Sequence, residues 1–124
     1  MKKQLLFFIA IFVSVSYFSC TYDAFEEEEL PPVDTTKVYS FATDVQPIFT
    51  NNCVSCHGSS GGLNLEEGKA YGNVVPERVN LDSPDESKIY DYVKPGSATH
   101  SYEKYSGEDA QTVLQWIKQG AENN

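Results

Sequence analysis

Cys53-Val54-Ser55-Cys56-His57 is the densest run of reactive side chains in the sequence. Two thiols three positions apart, followed at once by an imidazole, form the attachment signature for haem c. The spacing has a physical reason. Both sulfurs can reach the vinyl groups of one porphyrin and form thioethers, and the imidazole then meets the iron from the same side. Three blander chemistries use the same residues. A Cys53–Cys56 disulfide suits an exported protein, but it closes a very short loop and leaves His57 without a role. A dithiol redox pair needs a strand–helix–strand setting that the surrounding pattern lacks. A zinc ion could draw on Cys53, Cys56, His57 and His100, but adjacent Cys56 and His57 bind one tetrahedral ion awkwardly.

The elements that must position this motif read as three short helices. Phe41, Val45, Ile48 and Phe49 fall on one helical face and end just before Cys53. Pro47 constrains where that helix starts. With Asp44 as cap, Pro47 is the third helical residue and no hydrogen bond is lost. Thr43 with Gln46 also reads as a capping box, but Asp44 is preferred. Ser83-Pro84-Asp85-Glu86 starts a second helix with a cap, a Pro at the first position and a Glu three after the cap. Ile89, Tyr92 and Val93 form its apolar face, and Pro95-Gly96 ends it. Ser106 caps a third helix, with Glu108 and Asp109 favourable at its positive end. Ala110, Val113, Leu114 and Ile117 line its inner face, Trp116 sits beside them, and Gly120 closes it. Residues 58–82 read as glycine-studded loop, a length that is reasonable only if the loop wraps a large ligand.

Composition points the same way. From Phe41 to Asn124, only 16 of 84 residues are Ile, Leu, Val or Phe, and six basic residues face twelve acidic ones. So few apolar side chains with so much net charge is a disorder signature unless something completes the core. A domain below ~70–80 residues already needs a disulfide, metal or cofactor as staple, and this one is little larger. The whole chain, 124 residues with a formal charge of −9, has room for one domain and excludes a basic nucleic-acid binder.

The first residues read as an address. Lys2 and Lys3 precede an apolar run, Leu5–Phe18, of 14 residues. That length suits a signal peptide over residues 1–19 and falls short of the ~20 residues that span a bilayer. Ser19-Cys20 follows directly and resembles the lipobox of bacterial lipoproteins, with Tyr17 standing where the pattern usually has Leu. The resemblance implies lipidation at Cys20; a soluble secreted protein and an uncleaved anchor are the alternatives. Residues 20–40 read as an acidic, Pro-containing tether, with Glu26-Glu27-Glu28-Glu29 ahead of Leu30-Pro31-Pro32. An acidic cluster after such a Cys resembles a surface-export arrangement of Bacteroidetes-type lipoproteins. The expected location is therefore the cell envelope, as an outer-membrane lipoprotein on the periplasmic face or the cell surface.

Residues 41–124 resemble the single-haem cytochrome c domain. They are closest in pattern to bacterial forms that read D-V-x-P-I-F, C-x-x-C-H-G, G-G-L-x-L, S-x-x-Y and W-I-x-x-G-A in that order. The matching residues are Asp44–Phe49, Cys53–Gly58, Gly61–Leu65, Ser87–Tyr90 and Trp116–Ala121. The resemblance implies an all-α, cytochrome c-like fold of three to four short helices with long loops around one covalent haem. It implies that the first and last helices pack together beside the haem, with Phe49 and Trp116 as core residues. It also implies that Cys53 and Cys56 carry the thioethers and that His57 binds the iron.

The sequence departs from the family in two places. Most members complete the iron with Met, but the only Met here is Met1. The family's Met lies in the loop before the last helix, where this chain has Thr99-His100-Ser101, six residues before Ser106. His100 is therefore the candidate distal ligand. A solvated loop histidine is the alternative, with Tyr102, Lys104, Tyr105 or Lys94 taking its place. A second imidazole in place of Met lowers the potential. The second departure concerns the Pro that often follows the motif and accepts the histidine N–H. Here the first Pro after His57 is Pro76, 19 residues on. A carbonyl near Gly62–Leu65 could substitute, which the sequence alone does not show.

The expected function is one-electron transfer by a low-potential, His/His-ligated c-type cytochrome rather than an enzyme, since six-coordinate iron has no open position. The acidic surface suits a redox partner with a basic patch. The membrane would be reached through Cys20, and no nucleic-acid partner is expected. If His100 leaves the iron open, the alternative is a haem protein that binds small gases or peroxide, as a sensor or weak peroxidase.

Overall fold

Phe41, where the helical pattern begins, lies at the centre of an aromatic cluster that joins both ends of the domain. Its ring centroid is 5.2 Å from Tyr71, 5.3 Å from Trp116 and 6.2 Å from Phe49. The computed structural model of the protein describes residues 30–60, 62–102 and 104–124. The signal-peptide reading over 1–19, Cys20 and the Glu26–Glu29 run lie outside the described residues.

Among the described residues the elements are helical and none is a strand. A π-helical turn at Phe41–Val45 runs directly into α1, Gln46–Asn52. Helix α2 is Ala70–Val74, a 3₁₀ turn spans Pro84–Glu86, α3 is Lys88–Asp91, and α4 is Gly107–Lys118. The all-α class is thus observed. The π turn packs on α4, which also contacts the 3₁₀ turn and α3.

The start of the first helix differs from the Asp44-capped expectation. Ser40 is the cap, and its Oγ accepts from the Thr43 N–H at 3.3 Å. Asp44 instead returns its carboxylate to the Ser40 N–H at 2.9 Å and pairs with Lys37 at 2.6 Å. Pro47 is the second residue of α1, but the π turn leads into α1 without a break, so its missing N–H removes one hydrogen bond from the continuous helix, against expectation. Ser40 Oγ also donates to the Asn124 carbonyl at 2.7 Å, and the Ala42 N–H donates to the same oxygen at 2.9 Å. The last residue of the chain is thereby built into the first turn.

The second helix is also corrected. It is split at Ser87, whose ψ of 126° extends the chain between the 3₁₀ turn and α3. Ser87 is buried, and its Oγ accepts from the Asn80 N–H at 2.9 Å. A side chain that hydrogen-bonds a distant backbone group competes with continued helix. Ser83 makes no side-chain cap. The inner face becomes Ile89 and Tyr90, both buried, while Tyr92 turns outward at 42% exposure. The region read as loop, 58–82, contains α2, because Ala70 and Val74 are one turn apart and both fully buried.

The third helix follows expectation. Ser106 Oγ accepts from the Asp109 N–H at 3.1 Å, and Ala110, Val113, Leu114, Trp116 and Ile117 are buried. Gly120, at φ 106°, ends the helix, and the following Ala121 also takes a positive φ of 52°. That uncommon conformation is held from both sides. The Ala121 N–H donates to the Trp116 carbonyl at 2.9 Å, and the Ala121 carbonyl accepts from the Tyr71 hydroxyl at 3.0 Å.

Packing starts ahead of Phe41. Leu30 packs on the core, and Pro31 lies against Gly107 at the start of α4. At the other end of that helix, Gln119 accepts from the Tyr39 N–H at 2.8 Å and donates to the Lys37 carbonyl at 2.9 Å. Part of the segment read as tether is therefore a strap along α4.

Candidate functional site

Cys53 is the C-cap of α1, its N–H donating to the Phe49 carbonyl at 2.9 Å. The Cys53 carbonyl then accepts from the N–H groups of Cys56 at 3.1 Å and His57 at 2.8 Å. These bonds fold the motif into a tight turn on the end of the helix. Gly58 follows because a Cβ there would meet the Val54 carbonyl oxygen at 3.2 Å. The far side is pinned by Leu65, whose N–H donates to the His57 carbonyl at 2.7 Å. The Leu65 carbonyl in turn accepts from the buried side-chain amide of Gln46 at 3.0 Å.

His100 arrives on the loop between α3 and α4. Tyr105 closes the base of that loop twice. Its N–H donates to the Val93 carbonyl at 3.0 Å, and its hydroxyl donates to the Ile89 carbonyl at 2.9 Å. Lys104 donates to the Ser97 carbonyl across the loop. Burial pushes the Tyr105 phenol well above its ordinary pKa, and the nearby Cys53 and Asp109 add to the effect. Tyr105 is therefore a neutral hydrogen-bond donor and part of the wall.

The two loops bring the histidine rings close together, in a tilted arrangement. The ring centroids of His57 and His100 are 6.0 Å apart, with planes 38° from parallel. His57 and His100 would be the imidazoles able to hold a metal between these two loops. Nδ1 of each ring is buried and has no hydrogen-bond partner among the described residues. Neither imidazole is thus tied up as a structural donor through that atom.

Both rings border a cavity of about 800 Å³, large enough for a cofactor. Leu63, Leu65, Ile89 and Val93 supply apolar wall, and Cys53 and Cys56 line the same space. Cys56 is an exposed free thiol, which leaves no Cys53–Cys56 disulfide. The described residues contain no cluster of three or more His, Cys, Asp or Glu able to hold a metal ion. The four residues weighed as a zinc set therefore do not converge as one. Cys53, Cys56 and His57 meet His100 at one cavity, and Cys20 lies outside the described residues.

Two sequence expectations change here. No carbonyl near Gly62–Leu65 accepts from the His57 ring among the described residues; that stretch pairs with the His57 backbone instead. Of the alternatives to His100, Lys94 is paired with Asp91 at 2.8 Å and Lys104 with Ser97, while Tyr102 and Tyr105 do line the cavity. Sequence reasoning missed Arg78 and Lys88, which also line it. One available signal was that Arg78 is the only arginine in the chain.

Comparison with family models, curated proteins and solved structures finds no match to this chain.

Proposed function

We propose that the protein is a monohaem c-type cytochrome that carries one electron at a time in the cell envelope. One observation carries the reading: His57 and His100, with ring centroids 6.0 Å apart, line one cavity together with Cys53 and Cys56. When bound, haem c supplies an iron that accepts and releases a single electron.

The chain's own residues have separate tasks. Cys53 and Cys56 would hold the macrocycle through thioethers, and His57 and His100 would bind its iron. The walls from Leu63, Leu65, Ile89 and Val93 exclude water. With His57 and His100 both on the iron, the protein would act as a carrier and not as an enzyme. Two imidazoles in place of a His/Met pair give it a low potential. The acidic excess of residues 41–124 favours a redox partner with a basic docking patch. The leader and Cys20 favour an exported, lipid-anchored form. Among the described residues no helix is long and apolar enough to cross a membrane.

A pyridine haemochrome spectrum and an intact mass of the exported protein test the proposal together. The expected result is one covalent haem on a chain that starts at a lipidated Cys20. A chain without haem overturns the reading.

A further inference from the structure

The cavity lies in an acidic domain, yet two of the domain's six basic residues, Arg78 and Lys88, line it. They come from different segments and are brought together by backbone and side-chain bonds. The Ile89 N–H donates to the Arg78 carbonyl at 3.1 Å, and buried Ser87 binds Asn80 on both backbone groups, at 2.9 and 3.4 Å.

The Arg78 guanidinium is partly fixed. Nη1 donates to the Asn73 carbonyl at 2.6 Å and touches the exposed Glu77 carboxylate at 3.4 Å. Nε and Nη2 make no hydrogen bond among the described residues, and neither does Lys88 Nζ. A guanidinium held by one nitrogen, with its other donors free, is prepared for a planar anion such as a carboxylate. Glu77, Asn52 and Ser55 also line the cavity, but most of its wall is apolar, so a carboxylate that reaches the free donors of Arg78 there is attracted more strongly than in water.

We infer that Arg78, assisted by Lys88, binds the carboxylate-bearing edge of the cofactor. This rests on the haem reading above. Haem carries two propionates, and the inference orients the macrocycle: its thioether side lies at Cys53 and Cys56, its propionate side at Arg78 and Lys88. These residues position the cofactor and tune it, because a cation beside the haem favours the reduced, less positive state.

The test uses the exported, haem-loaded full chain. Resonance Raman bands of the propionates and the midpoint potential are compared in Arg78→Gln, Arg78→Lys, Lys88→Gln and Lys69→Gln, a control outside the cavity. Arg78→Gln is expected to shift the propionate bands and lower the potential. Arg78→Lys keeps the charge but loses the planar fork, so the bands shift while the potential stays near wild type. Lys88→Gln gives a smaller change in the direction of Arg78→Gln, and Lys69→Gln changes neither readout. Propionate bands unmoved in Arg78→Gln and Lys88→Gln overturn the inference. If Arg78→Gln does not accumulate, unmoved bands in Arg78→Lys and Lys88→Gln overturn it equally. A wild-type chain without haem overturns the parent reading. A haem-loaded chain with unmoved bands overturns the carboxylate site alone.

Discussion

His57 and His100 stand with ring centroids 6.0 Å apart, one on the turn that ends α1 and the other on the loop before α4. His100→Ala removes one of the two neighbouring imidazoles without touching the core. On the proposed function, wild type is low-spin in both redox states and does not bind carbon monoxide. The variant is expected to turn high-spin and to bind carbon monoxide rapidly. Optical spectra with and without the gas decide it. An unchanged low-spin spectrum in the variant removes His100 from the iron, and rapid binding by wild type favours the open-site alternative.

Trp116 tests the aromatic centre of the fold. It is 1% exposed, packs on Phe41 and Tyr71, and donates from Nε1 to the Glu122 carbonyl at 2.9 Å. Trp116→Ala should cost about 3–5 kcal/mol. Trp116→Phe keeps most of the packing but leaves a carbonyl without its donor, and should cost less. Denaturant unfolding of the two variants measures both. A Trp116→Ala loss under about 1 kcal/mol would contradict the core position described.

Asp44 makes a pH prediction. Burial opposes its ionisation, but the Lys37 ammonium and the N–H of Ser40 outweigh that and hold its carboxyl below the usual value. A folded pKa below the unfolded one means stability that is complete above the unfolded pKa, about 3.9. It is lost as pH falls through the folded value. Asp44→Asn should therefore be less stable than wild type near neutrality, with the difference closing in acid. Melting temperature as a function of pH checks this; a gap that persists unchanged at low pH would contradict it. Ser40→Ala, at the same turn, should cost about 1 kcal/mol.

Tyr105 acts at the opposite end of the pH scale. Burial raises its phenol pKa, so the folded state holds the proton more tightly than the unfolded state. Its contribution is complete below the unfolded pKa, about 10, and is lost as pH rises towards the folded value. Tyr105→Phe should cost about 1 kcal/mol at neutral pH through the lost bond to the Ile89 carbonyl, and should flatten the alkaline limb of stability. Alkaline unfolding curves of the two proteins provide the comparison.

The features legible in the sequence were those with local causes. The Ser106 cap and the apolar face of α4 follow from a hydroxyl, a 3.6-residue period and a closing glycine, all within one segment. The shortage of aliphatic residues in residues 41–124 likewise needed only counting, and the cavity lies where that shortage left space. The start of α1 was not legible, because Ser40 was chosen over Asp44 by Asn124 at the far end of the chain. The split at Ser87 depended on Asn80, and α2 on burial of Ala70 and Val74.

The sequence by itself determined the chemical vocabulary of the site: two thiols and an imidazole in fixed order, one further histidine and no methionine after Met1. Bonding distance along the chain sets those relations before any folding. Only the tertiary structure decided that His100 lies beside His57, that Arg78 and Lys88 share a cavity with them, and that residues 30–39 strap onto α4. Each of those contacts joins residues distant in sequence, and is set by loop closure and core packing rather than by local propensity.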